Sequence, residues 1–146
     1  MNPFRPRPAR IVGGIALGAA MIVTALHASM AAPADLDYSR IRASEAGLYR
    51  MTFAPVDSIR VGRMHAWRLH LEAADGRAVD RAAIVVRGGM PQHGHGLPTK
   101  PRVTRALGGG DYLVEGMKFT MGGWWTVSFG VRAPAGADSV TFNLKL

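Results

Sequence analysis

Cysteine is missing from all 146 residues, which removes disulfide staples, thiolate nucleophiles and Cys-ligated zinc or iron–sulfur centres from consideration. Charge is scarce as well, 19% of residues against 48% hydrophobic, the balance of a chain that buries one core rather than staying disordered. The formal net charge is +8, yet no Lys/Arg run is interleaved with aromatics, so the footprint of a nucleic-acid binder is lacking. Setting aside Arg5, Arg7 and Arg10 lowers that +8 to +5, which leaves a weakly cationic domain suited to facing an anionic membrane surface. No helical stripe of useful length follows Ala34, and no internal repeat is visible. The glycine run Gly108-Gly109-Gly110-Asp111 precedes a strand-like pattern rather than a helix, which argues against a phosphate-binding loop.

What is present begins with an address. Three arginines in the first ten residues precede Ile11 to Leu26, an uncharged apolar run, and then the small-residue stretch His27 to Ala34. Cationic start, apolar centre and small-residue cleavage zone are the three parts of a secretory signal. Extended to Ala32, the run approaches the ~20 residues that cross a bilayer, so an uncleaved membrane anchor is the alternative. Residues 1–34 are therefore expected to be a signal peptide or anchor, residues 35–46 a polar linker, and residues 47–146 the folded domain. Either reading places the domain outside the cytoplasm, in the periplasm or on the outer face of the cytoplasmic membrane, with membrane contact through the N-terminal segment if it is uncleaved.

Beyond the linker the chain alternates with a period of two. Trp67, Leu69 and Leu71 oppose Arg68, His70 and Glu72; Trp125, Val127, Phe129 and Val131 oppose Trp124, Thr126, Ser128 and Arg132; Val140, Phe142, Leu144 and Leu146 share a face. Alternation of this kind is the signature of half-buried strands. With Leu48–Ala54, Ala82–Arg87, Arg102–Leu107 and Tyr112–Phe119 the count reaches seven, separated by Gly, Pro and Asp turn signals. The expected fold is all-β, an immunoglobulin-like antiparallel sandwich of about seven strands, without the Cys–Trp–Cys pattern of true immunoglobulin domains.

Between the third and fourth of these strands lies GGMPQHGHGLPTKP, Gly88 to Pro101, longer than a hairpin needs. Pro91, Pro98 and Pro101 limit its freedom. If His93-Gly94-His95 is extended, both imidazoles project to one side and reach a common ion. Met90 adds a thioether, and Met117 and Met121 lie on or beside the Tyr112–Phe119 strand. Imidazole and thioether without thiolate or carboxylate form a soft set that favours copper, Cu(I) above all. The same residues also suit a plainer role, histidines hydrogen-bonded within a turn and methionines filling the core.

Other candidates carry less. His65 shares a side with Trp67 and is expected to be structural; His70 is expected on the solvated side, and neither shows an adjacent Ser or Asp in triad order. Asp111 and Glu115 lack a second carboxylate for acid–base work. Trp124 is expected on the face opposite the core, where with Met117 it offers surface to a partner. No nucleophile or acid–base pair emerges, so the chain is not expected to be an enzyme.

The combination of GGMPQHGHGLPT with YLVEGMKFTMGGWW, followed by DSVTFNLKL, resembles the YtkA-like family of small exported domains, related to the FixH proteins. The resemblance spans roughly Arg60 to Leu146 and implies an immunoglobulin-like β-domain behind a signal or single anchor, with no established enzymatic activity. It further implies an association with membrane cation pumps and copper-oxidase assembly, hence a copper-handling or oxidase-assembly membrane protein as partner. Exported copper chaperones of the oxidase-assembly type carry a His-x-Met element; here the element is His-x-His, and their copper residues do not carry over. Two functions follow as expectations: transient copper binding and delivery by His93, His95, Met90 and Met121, or a structural adaptor docking on a membrane complex with the His-Gly-His loop shaping the surface.

Overall fold

A computed structural model describes residues 32–146; the cationic start and apolar run of the expected signal or anchor lie outside the described residues. Alternation sets the local structure. Trp67, Leu69 and Leu71 are fully buried along Met64–Ala73, as are Trp125, Val127 and Phe129 along Trp124–Ala133. Nine strands result: β1 (Ile41–Ala43), β2 (Tyr49–Pro55), β3 (Met64–Ala73), β4 (Ala83–Met90), β5 (His95–Gly96), β6 (Arg102–Gly108), β7 (Asp111–Lys118), β8 (Trp124–Ala133) and β9 (Gly136–Lys145). The seven expected strands are all present. The two additional ones fall where no alternation could announce them, β1 within the stretch read as a linker and β5 within the long loop.

All pairings are antiparallel, in the order β1-β2-β3-β7-β6-β4-β8-β9, with β5 on β4. The sandwich is nearly a closed barrel. β6 and β4 join through the single pair Val85 and Arg102, and at the opposite seam the Glu45 amide donates to the Ser139 carbonyl at 2.9 Å. Between the layers, Phe53 stacks on Trp67 with ring centres 4.6 Å apart and meets Phe142 edge-on at 4.8 Å. Each such ring contributes roughly 1.5–3 kcal/mol by leaving water, before ordering costs. The indole N–H of Trp67 sits in this apolar centre without an acceptor.

The strand directions sort the connections into two ends. At one, β8 turns into β9, β6 into β7, and β1 into β2. Here the Asp138 carboxylate accepts from the amides of Ala46 and Leu48 at 3.1 and 3.2 Å, and the Tyr49 hydroxyl donates to the Gly136 carbonyl at 2.7 Å. The expected linker thus contains a clamp that closes the barrel. At the other end, β2 leaves at Pro55, β4 at Met90, β7 at Lys118 and β9 at Lys145, and the chain enters β1 at Ile41.

Candidate functional site

The His-containing loop is a hairpin at this second end. β5 folds back on β4 with Met90 opposite His95 and Gly89 opposite Gly96. The Met90 carbonyl accepts from the amides of both His93 and Gly94 at 3.0 Å. Such a turn needs one residue in the left-handed region, and Gly94 supplies it at φ 66°. The extended His93-Gly94-His95 assumed from the sequence is therefore corrected, because two amides converging on one carbonyl require a curled backbone. The rings still meet. The His93 and His95 centroids are 5.8 Å apart with planes inclined by 27°, and both residues are exposed.

Below them lies the β7–β8 loop. The His95 ring meets the buried Trp125 edge-on at 5.9 Å, and the Trp125 indole N–H donates to the Met121 carbonyl at 3.0 Å. Met121 is 40% exposed, so its side chain is not consumed by the core. Met90 is buried, and its Cε lies 3.0 Å from where a β-carbon on Gly123 would stand. The fold therefore brings His93, His95, Met90 and Met121 to one end, around Trp125. Thr99 holds the far side of the loop through its hydroxyl, which donates to the Gly116 carbonyl at 2.6 Å.

Two imidazoles ligating one ion through bonds of about 2.0–2.1 Å have ring centres no more than about 6.5 Å apart. The observed separation lies inside that reach. Stacked rings hold their nitrogens alongside one another rather than aimed at one point, so capture needs a side-chain rotation, which exposed residues make in picoseconds to nanoseconds. No group of three or more His, Asp or Glu side chains suited to a metal gathers among the described residues. A site here draws its third donor from a thioether.

The remaining candidates separate. Met117 is fully buried, a correction to its reading as partner surface: the β3–β7 register shifts at Gly116, which has φ 90°, so that Met117 turns inward although Glu115, two positions earlier, is exposed. Trp124 lies half-buried on the outer face, its N–H donated to Asn143 Oδ1 at 3.0 Å. His65 is buried, as expected, with Nε2 2.8 Å from the Arg60 carbonyl oxygen. His70 does have an acidic neighbour, 41 positions away in sequence: its Nδ1 lies 2.7 Å from Asp111 Oδ1, and its Nε2 3.6 Å from Glu72 Oε1. The signal for that pair was strand register, which sets His70 directly opposite Asp111.

The family model for YtkA-like domains matches residues 43–130, a span that contains the His turn, Met121 and Trp125. The chain belongs to the YtkA-like family. No curated protein matches it significantly. Within this YtkA-like domain the matched segment runs from the last residue of β1 into β8, so the hairpin and the β7–β8 loop both lie inside it.

Proposed function

We propose that this YtkA-like domain is an exported, non-catalytic binding module that holds copper transiently at the His93–His95 turn and passes it to a membrane protein that handles copper or assembles an oxidase. The observation that carries the reading is the pairing of two exposed imidazoles, 5.8 Å apart, at the same end as the exposed Met121. Neutral imidazole with thioether suits Cu(I) better than the hard cations that prefer carboxylates. Met90, buried beneath the turn, supplies a second sulfur only if the hairpin lifts; His93, His95 and Met121 are the donors open to an incoming ion. Few ligands at an open surface favour exchange through mixed-ligand intermediates with an acceptor, and such a transfer requires no acid–base residue.

Isothermal titration of the full chain with Cu(I) tests this. One saturable, stoichiometric binding event is expected, lost when His93→Ala is combined with His95→Ala, while Trp125 fluorescence reports the same event through its contact with His95. A melting temperature that rises with copper in the parent and not in the double variant is the accompanying result, worth about 2.7 kcal/mol at a hundredfold excess over the dissociation constant. Equal binding in parent and double variant, or none in the parent, overturns the copper reading and leaves the adaptor, in which the histidines only shape the hairpin.

A further inference from the structure

The end of the barrel that carries the His turn is also the apolar end. Of the eight exposed large hydrophobic side chains among the described residues, six belong to it: Tyr38, Ile41, Val56, Val61, Met64 and Met121. Val56, Val61 and Met64 are 58%, 46% and 60% exposed, beside an open groove of about 580 Å³ that runs from Arg40 to Leu146. These side chains do not ride on a loose loop. The Gly62 amide donates to the Phe119 carbonyl at 2.8 Å, and the buried His65 ring holds the Arg60 backbone. A braced apolar rim facing water is unusual unless something covers it.

Two observations identify the cover. Exposed cations outnumber the acids around the patch: Arg40, Arg60, Arg63 and Lys145, with the half-buried Lys118 beside Met64, against Asp57 in the groove and Asp37, which lies 3.8 Å from Arg42; the acids of the opposite end, Asp75, Asp80 and Asp138, are engaged with turn amides. The chain also reaches the barrel from this side. Residues 32–40 lead into β1 here, held by the Asn143 Nδ2 donating to the Asp37 carbonyl at 3.0 Å, and the residues before them in sequence include the uncharged run Ile11 to Leu26. A signal or anchor that engages a bilayer thus delivers this end, and not the acidic one, to the lipid surface.

We propose that the Val56/Val61/Met64 end of the domain rests on an anionic lipid surface, its apolar side chains entering the headgroup layer while Arg40, Arg60, Arg63, Lys118 and Lys145 meet lipid phosphates. Basic residues at such a surface each raise binding about fivefold, and the effect fades with salt.

The absence of native cysteine makes the test direct. The full chain receives a single environment-sensitive fluorophore at Val61→Cys or Met64→Cys, or at Ala135→Cys on the opposite end, and is mixed with phosphatidylglycerol-containing or pure phosphatidylcholine vesicles without added metal. Labels at 61 and 64 are expected to shift to the blue on anionic vesicles only, and the label at 135 not at all. Arg60→Gln with Arg63→Gln should raise the lipid needed for half the response at least about tenfold, and raised salt should do likewise. Equal responses from both ends mean that the N-terminal segment alone holds the chain to the vesicle; a shift on neutral vesicles means no headgroup recognition; a shift that depends on protein concentration without lipid means a second copy covers the patch. Each of these overturns the proposal. Because no metal is present, its outcome is independent of the copper reading.

Discussion

The two ends of the barrel are made from the same strands and treat water oppositely. At the acidic end, carboxylates and glycines are consumed by the fold: Asp138 binds the β1–β2 turn, Asp80 accepts from the Gly110 amide at 3.0 Å, and Gly108, Gly109 and Gly110 all take positive φ. At the other end, imidazoles, a thioether and apolar side chains stay exposed above a fully packed floor of Trp125 and Phe119. Groups used internally are unavailable for binding, and groups left outside contribute little to stability. Mutations at the first end should therefore act on folding, and at the second on ligands.

The sharpest way to break this comparison is Gly110→Ala. A β-carbon there would lie 2.5 Å from the Leu71 carbonyl oxygen, at φ 82°, and that contact can be relieved only by parting the backbone from Leu71, whose amide donates to Gly110 at 2.8 Å. A loss of about 3 kcal/mol in denaturant unfolding is expected; a loss below about 1 kcal/mol would show the acidic end to be as yielding as the other.

Next comes the clamp at Asp138. Burial opposes its charge, but hydrogen bonds from the Ser44 hydroxyl and the amides of Ala46, Ser139 and Leu48 outweigh this and lower its pKa from 3.8 to about 2. A depressed carboxylate stabilises the fold fully above its unfolded value and loses that contribution as pH falls through the folded one. Thermal melts of the parent should drop between about pH 4 and pH 2, and Asp138→Asn, already weaker at neutral pH, should converge with the parent in that window. Parallel pH profiles would remove the clamp from the account.

Smaller effects belong to the site end. Gly94→Ala meets no atom within 4 Å, yet keeps φ 66°, so only the left-handed backbone is penalised, at about 1 kcal/mol. The pair His93→Ala with His95→Ala, both exposed, should alter stability in the absence of metal by no more than about 0.5 kcal/mol. If either change rivals Gly110→Ala by the same unfolding measurement, the tip is part of the core after all.

Much of this is legible in the sequence. Period-two runs such as Trp67-Leu69-Leu71 and Trp125-Val127-Phe129 mark buried faces because a strand's side chains alternate; the three such segments, and the four others expected between turn signals, are all strands. β1 is not legible in the sequence because three residues of mixed burial carry no period; it exists through pairing with β2 and through the Asp138 clamp. In the loop, Gly94 is legible as a residue that permits close imidazoles, and the two rings do approach, but whether Gly94 sits extended or left-handed depends on the Met90 carbonyl. Met117 is the opposite case: simple alternation sets it with the exposed Glu115, and the bulge at Gly116 turns it inward. His70 and Asp111 paired through register alone.

From composition and order, this protein's sequence determined an all-β class, the absence of any thiol chemistry, the buried faces of β3, β8 and β9, and a short segment rich in imidazole and thioether. Those properties depend on residues a few positions apart, and local chemistry suffices for them. Only the tertiary structure decided that Trp125 lies beneath His95, that Met121 but not Met117 reaches solvent, and that the His turn, the exposed valines and the approach of the N-terminal segment share one end. Such placements follow from strand order and register across many tens of residues, where the free energy of closing the barrel, rather than any local preference, selects the partners.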